Sequence, residues 1–80
     1  MRAVIAGMII GLRQYQSQRG EQRGEIAFRC EGPGGLVAVD GLWSDMEGFA
    51  AGEVRSLPVD VRARSGDLVV FLRPASEARA

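Results

Sequence analysis

Apolar and polar residues alternate with a period of two along most of the chain, and turns containing glycine or proline interrupt that alternation about every ten residues. The pattern predicts an all-β domain of short strands. The first strand is expected over Ala3 to Gln14, with Val4, Ala6, Met8, Ile10 and Leu12 on one face and Ile5, Gly7, Ile9 and Gly11 on the other. Both faces are apolar, so this strand is expected to be covered on both sides or to cross between layers. Gly7 and Gly11 suit bends or bulges where a sheet curls toward closure. The second strand, about Glu25 to Glu31, sets Ile26, Phe28 and Cys30 against Glu25, Ala27 and Arg29. Gly32-Pro33-Gly34-Gly35 then forms a turn, because glycine reaches positive φ and Pro33 pre-sets its own. A third strand follows over Leu36 to Trp43, with Val37, Val39, Gly41 and Trp43 on one side. Ser44 to Glu53 reads as a loop with a short helical turn over Asp45 to Phe49. The fourth strand, Val54 to Arg64, alternates Val59, Val61 and Ala63 with Asp60, Arg62 and Arg64. Pro58 within it cannot donate to a ladder and marks an edge, bulge or bend. Ser65-Gly66-Asp67 is a tight hairpin into a fifth strand, Leu68 to Arg73. Pro74 stops that strand and leaves Ala75 to Ala80 as a frayed tail.

Leu12 to Arg29 departs from the pattern. Arg13, Tyr15, Gln16, Ser17, Gln18, Arg19, Gly20, Glu21, Gln22, Arg23 and Gly24 follow one another with almost nothing to bury. Arginines, glutamines and one tyrosine on a glycine-bounded excursion suit a flexible arm that grips a polyanion. They equally suit a solvated hairpin loop.

Length and composition narrow the picture. Eighty residues make one domain, of a size that often gains stability by oligomerising. No apolar run approaches the ~20 residues that span a bilayer, and no signal peptide or membrane anchor is expected. Cys30 is the only cysteine, so no internal disulfide can form. Histidine is absent, which removes a conventional zinc site and imidazole acid–base chemistry. A reducing, cytoplasmic location fits. The paired acids Asp45 and Glu47, and Glu21 and Glu25, sit on turns with no base partner, and Gly32 to Gly35 lacks the Lys-Ser/Thr of a phosphate-binding loop. No enzyme chemistry, cofactor, membrane or small-molecule substrate is therefore expected.

All ten basic residues are arginine, and ten acids balance them. Each guanidinium is a planar fork able to pair with phosphate and to stack on a ring. The charge is neutral overall but polarised locally. Four arginines face two glutamates from Arg13 to Arg29; Gly32 to Glu53 carries four acids and no base; four arginines face two aspartates from Arg55 to Arg73.

Five short antiparallel strands, a glycine-kinked first strand and a long arm between strands one and two suggest a small OB-like barrel, with an SH3-like barrel as the competitor. Further residues carry a resemblance. Leu12-Arg13-Gln14 leads into the polar arm that reaches Gly20, and Ala51-Gly52-Glu53-Val54 stands four residues before Pro58. Gly66 sits in the last hairpin, and Ala78-Arg79-Ala80 follow at the C-terminus. In order and spacing this layout resembles the small single-stranded DNA-binding proteins of filamentous bacteriophages, the gene V type, and especially their shorter members. The resemblance implies an OB-like homodimer that coats single-stranded DNA cooperatively, without strong sequence preference, in phage replication within the host cytoplasm.

The candidate DNA-binding residues are Arg13, Tyr15, Arg19, Arg23, Arg29, Arg62, Arg64 and Phe49. Arg13, Arg19 and Arg23 would meet phosphates from the arm, or else keep an exposed hairpin solvated. Tyr15 is placed to stack on a base or to cap the core. Arg29, Arg62, Arg64 and Arg73 form a basic stripe, or pair across strands with Asp60, Glu25 or Asp67. Phe49 is a plug for the barrel end, a contact between dimers, or a ring for bases. Trp43 and Phe28 read as core, Cys30 as a small buried hydrophobe, and Phe71, on the face of Val69, as part of an apolar interface. A different class of function is also open, a protein–protein adaptor that docks a partner through Asp40 to Glu53 with Trp43 and Phe49.

Overall fold

The structure is a computed structural model that describes residues 1–74, except for the side chain of Pro33; the tail expected from Ala75 to Ala80 lies outside the described residues. Five strands make up the fold: β1 (Arg2–Gln16), β2 (Gln22–Cys30), β3 (Leu36–Leu42), β4 (Val54–Arg64) and β5 (Asp67–Leu72). Single turns of 3-10 helix occur at Gly32–Gly34 and Trp43–Met46. The strands close into a barrel in the order β1-β2-β3-β5-β4. Four of the five pairings are antiparallel, as expected. The fifth, β3 with β5, is parallel and joins only Val39 to Val70 and Asp40 to Phe71. The protein is thus all-β, a closed five-stranded barrel of OB-like form. No helix among the described residues is long and apolar enough to cross a membrane.

Every strand sends side chains to one core. Ile9 comes from β1, Ile26 and Phe28 from β2, Val39 from β3, Leu57 and Val59 from β4, Leu72 from β5, and Met46 from the 3-10 turn. Six of these are fully shielded from solvent, and each contributes roughly 1.5–3 kcal/mol by leaving water. The second 3-10 turn closes one end of the barrel. It covers Trp43–Met46 rather than the expected Asp45 to Phe49, because Trp43 and Met46 fold back over Gly24 and Gly41, two buried glycines that leave them room.

Besides the parallel pairing of β3 with β5, in a barrel expected to be antiparallel, and the shifted 3-10 turn, three further features differ from the sequence reading. First, β1 is not covered on both sides. Its pairing with β2 shifts at Ile10, the extra residue of a bulge between Ile9 and Gly11. Ile9 and Leu12 consequently both reach the core, while Val4 stays 67% exposed on the outer face. Second, the arm is not a free excursion. β1 runs on to Gln16 and β2 begins at Gln22, so only 17–21 remain unpaired. Backbone ladder and polar cross-strand pairs, such as Gln14 Nε2 to Gln22 Oε1 at 3.1 Å, hold it without burial. Third, β3 ends at Leu42, and β5 spans Asp67–Leu72 rather than Leu68 to Arg73.

Local chemistry sets the remaining joints. Ser65 and Gly66 have φ of 51° and 84°, the paired positive values of a two-residue primed hairpin turn that matches strand twist. Pro58 sits where β5 has ended, and its carbonyl accepts the Arg73 amide at 2.9 Å. In an extended strand the N–H and C=O of one residue point the same way, so the missing donor faces that ladder's end and costs no ladder bond.

Gly24→Ala tests the barrel cap. A Cβ there stands 2.6 Å from both Trp43 Cε3 and Met46 Sδ, and overpacking of this kind costs about 1–3 kcal/mol. Thermal unfolding should shift down by roughly 4–8 °C per kcal/mol; an unchanged Tm would show that the cap yields freely.

Candidate nucleic-acid interface

Toward their shared turn β1 and β2 extend as a ribbon, which β3 flanks along β2 as far as Arg23, with Arg13 opposite Glu25, Gln14 opposite Gly24, Tyr15 opposite Arg23 and Gln16 opposite Gln22. Alternation places Arg13, Tyr15, Arg23 and Glu25 on the ribbon's outer side, continuous with the outer face of β3. Asp40 of β3 is the post to which they are tied. The Tyr15 hydroxyl donates to Asp40 Oδ1 at 2.8 Å. Arg23 bridges Asp40, at 3.5 Å, and Glu21, at 2.8 Å. Arg13 lies 3.4 Å from Glu25 and holds its guanidinium carbon 5.7 Å from the centre of the Tyr15 ring. Glu25 and Asp40 are direct cross-strand neighbours, an unfavourable pair of like charges. The surrounding arginines and the phenol offset that repulsion and fix the tyrosine ring in place. Ser17 closes the tip, accepting the Glu21 amide through its hydroxyl at 3.1 Å.

The same outer face continues across the sheet. Ala27 and Ala38, opposite one another on β2 and β3 and both exposed, make a flat floor. Past β5, Arg62 donates from Nε and Nη2 to Asp60 Oδ2 at 3.0 and 2.9 Å. The N-terminal amine adds a 3.1 Å contact to the same carboxylate. These hydrogen bonds, that of Arg62 first, hold the Asp60 carboxyl below its ordinary range. In OB-like barrels such a face, between the β1–β2 and β4–β5 hairpins, is where single strands bind.

The eight sequence candidates separate into groups. Arg13, Tyr15 and Arg23 stand together on the ribbon, with Arg19 exposed at its tip. Arg62 and Arg64 stand at the opposite hairpin. Arg29 sits at the far end of β2, in register with Met8 on one side and Leu36 on the other. It lines a notch of about 250 Å³ with Met8, Glu31 and Val54. Phe49 joins neither end of the face: it packs against the core, and the Arg55 guanidinium carbon lies 4.0 Å over its ring. It is half-buried at the barrel end, away from the face. Among the described residues Arg19, Arg29 and Arg64 take no ion-pair partner, whereas Arg13, Arg23 and Arg62 are each held by a carboxylate.

Comparison with protein-family models, curated proteins and solved structures gave no match. The reading of this face rests on its own residues. The sequence reading missed Asp40 as part of it, counting that residue with the acidic segment. Strand alternation about Val39 carried the needed signal, since it turns Asp40 outward beside Glu25.

Burial, then the hydrogen bond to Asp40, raises the Tyr15 phenol above its ordinary 10.0, against a smaller lowering by Arg23. Because the folded value is the higher, this contribution to stability is complete below pH 10 and is lost as pH rises through the folded value. Tyr15 is the only tyrosine, so absorbance reads it alone. The phenolate midpoint should lie above 10.0, and in Asp40→Ala it should fall; an unmoved midpoint would show that the Tyr15–Asp40 bond does not form in solution.

Proposed function

We propose that this protein binds single-stranded DNA, without strong sequence preference, on the outer sheet face between its two hairpins. The observation that carries the reading is the Tyr15 ring, locked by Asp40 and flanked by Arg13 and Arg23, at the edge of the flat Ala27–Ala38 floor. A rigid ring with arginines around it is what a stacked base and its phosphates require. Arg19 and Arg64, without a carboxylate partner among the described residues, are the readiest phosphate contacts, and Arg13, Arg23 and Arg62 add to them by exchanging partners. No catalytic step is part of this reading. The adaptor alternative draws less support, because the aromatic residues of its acidic segment, Trp43 and Phe49, both pack against the core.

The working unit in this reading is a homodimer joined through the outer face of β1 and β4. Val4, Ala6 and Met8 there stand opposite Pro58, Ser56 and Val54 without a charge among them; Val54 is 71% exposed and Val4 67%. Arg29 and Glu31, with no ion-pair partner among the described residues, flank the notch beside Met8 and Val54. A two-fold axis through that notch sets Arg29 of each copy against Glu31 of the other, which makes the surface self-complementary. Two such protomers would present two DNA tracks, and contacts between dimers would support cooperative coating.

Two measurements test this. Oligo(dT) titrated with the protein should bind in preference to duplex, with log K falling against log salt at a slope of about −1.4 to −2.1 for two to three neutralised phosphates. Arg19→Ala with Arg23→Ala should weaken binding and flatten that slope; absence of binding at low salt would refute the reading. Val54→Asp should convert a dimer to a monomer by light scattering, and a wild-type protein already monomeric at high concentration would remove the dimer.

A further inference from the structure

The sequence reading set Phe71 on the face of Val69 and expected an apolar interface there; the structure keeps Phe71 on that outer face. It lies on β5 between Val70 and Leu72, which face inward, so its own side chain faces out. It is half-buried and stands outside the core cluster. Its register neighbours are Asp40 on β3 and Asp60 on β4. Asp60 clamps Arg62 through two hydrogen bonds, and the clamped guanidinium carbon lies 5.6 Å from the Phe71 ring centre. Arg62, Ala63, Arg64 and Phe71 line a recess of about 290 Å³. Arg64 in that recess has no ion-pair partner among the described residues.

The geometry points to this recess as a second nucleobase subsite, in which a base stacks on Phe71 beside Arg62 while Arg64 takes the adjoining phosphate. The inference rests on the DNA-binding reading and deepens it. Asp40 separates the two rings: it bonds the Tyr15 hydroxyl and is the register partner of Phe71. Adjacent strands lie about 4.8 Å apart, so both rings fall on one short tract of a single strand crossing β2, β3 and β5. Each repeats one design, an aromatic ring with an arginine beside it that is itself restrained by a carboxylate. The clamp matters because a guanidinium already held by Asp60 loses little freedom when a base arrives. The class of ligand follows from the parts. An aromatic face recognises any base, no fixed donor pattern selects one, and a duplex, whose bases are already stacked, cannot offer a base to the ring.

The test compares wild type, Phe71→Ala, Phe71→Leu and Arg64→Ala, each checked for its β circular dichroism, on oligo(dT) and on an abasic oligomer of the same length. Loss of one stacked base should weaken oligo(dT) binding roughly five- to 150-fold in both Phe71 variants. Their affinity for the abasic oligomer and their salt slope should stay at wild-type values. Arg64→Ala should weaken both ligands and flatten the slope. Phe71→Leu keeps an apolar side chain in place, so it decides the matter if Phe71→Ala fails to fold. Wild-type affinity for oligo(dT) in a folded Phe71 variant overturns the subsite and leaves the DNA-binding reading standing. A wild-type protein that binds neither oligomer removes both.

Discussion

β1 has to serve two partners that diverge, and one unpaired residue lets it do so. It pairs with β4 from Arg2 to Met8 and with β2 from Gly7 onward, so Gly7 and Met8 serve both. Ile9 then takes its last bonds on the β4 side from the loop, its amide donating to the Glu53 carbonyl at 2.9 Å and its carbonyl accepting the Gly52 amide at 2.7 Å. Ile10 stands out of register, and beyond it β1 belongs to β2 alone. An inserted residue reverses which positions face inward. Ile9 before the bulge and Leu12 after it therefore both reach the core, and the strand bends enough for a five-stranded sheet to close. Barrel closure, the cap under Trp43 and the ribbon that carries Tyr15 all follow from that change of phase.

The proposed binding face is built from restraint more than from excess charge. With ten arginines against ten acids, the surface has little net pull on a polyanion. Each carboxylate on the face instead positions something: Asp40 the tyrosine ring and Arg23, Glu25 the Arg13 guanidinium, Asp60 the Arg62 guanidinium. Pre-set groups lose less entropy on binding than free ones, and a neutral surface discriminates against indiscriminate polyanion binding. In the proposed reading, stacking carries a larger share of recognition than it does on a strongly basic surface.

Much of the fold was legible in the residues. The limits of β4, the turn at Ser65 and Gly66 and the inward set of β2 follow from alternation and turn chemistry, because each has one apolar face and a clear stop. The parallel contact of β3 with β5 was not legible, since strand pairing at long range leaves no local pattern. The ribbon was misjudged for a related reason. Period-two alternation signals a strand only where one face is buried, and Gln14, Gln16 and Gln22 have no such face. Of the site, the arginines and Tyr15 could be singled out by type alone. That Phe49 faces Arg55 while Phe71 faces solvent depends on which strand end meets which loop, and that is settled only in three dimensions.

Past Tyr15 and Arg23 the ribbon is a ladder without a core beneath it. Its strands are joined by backbone bonds and polar pairs, whereas the same two strands lower down are pinned by Ile26, Phe28 and Ile9. Stability within one pair of strands is therefore graded. The segment from Gln16 to Gln22 can open locally, with its amides exchanging at little free-energy cost, while the amides of Ile26 and Phe28 wait for the whole barrel to unfold. A chain of this size thus holds two cooperative units on a single hairpin, and the upper one can be reshaped by what it touches without loosening the lower.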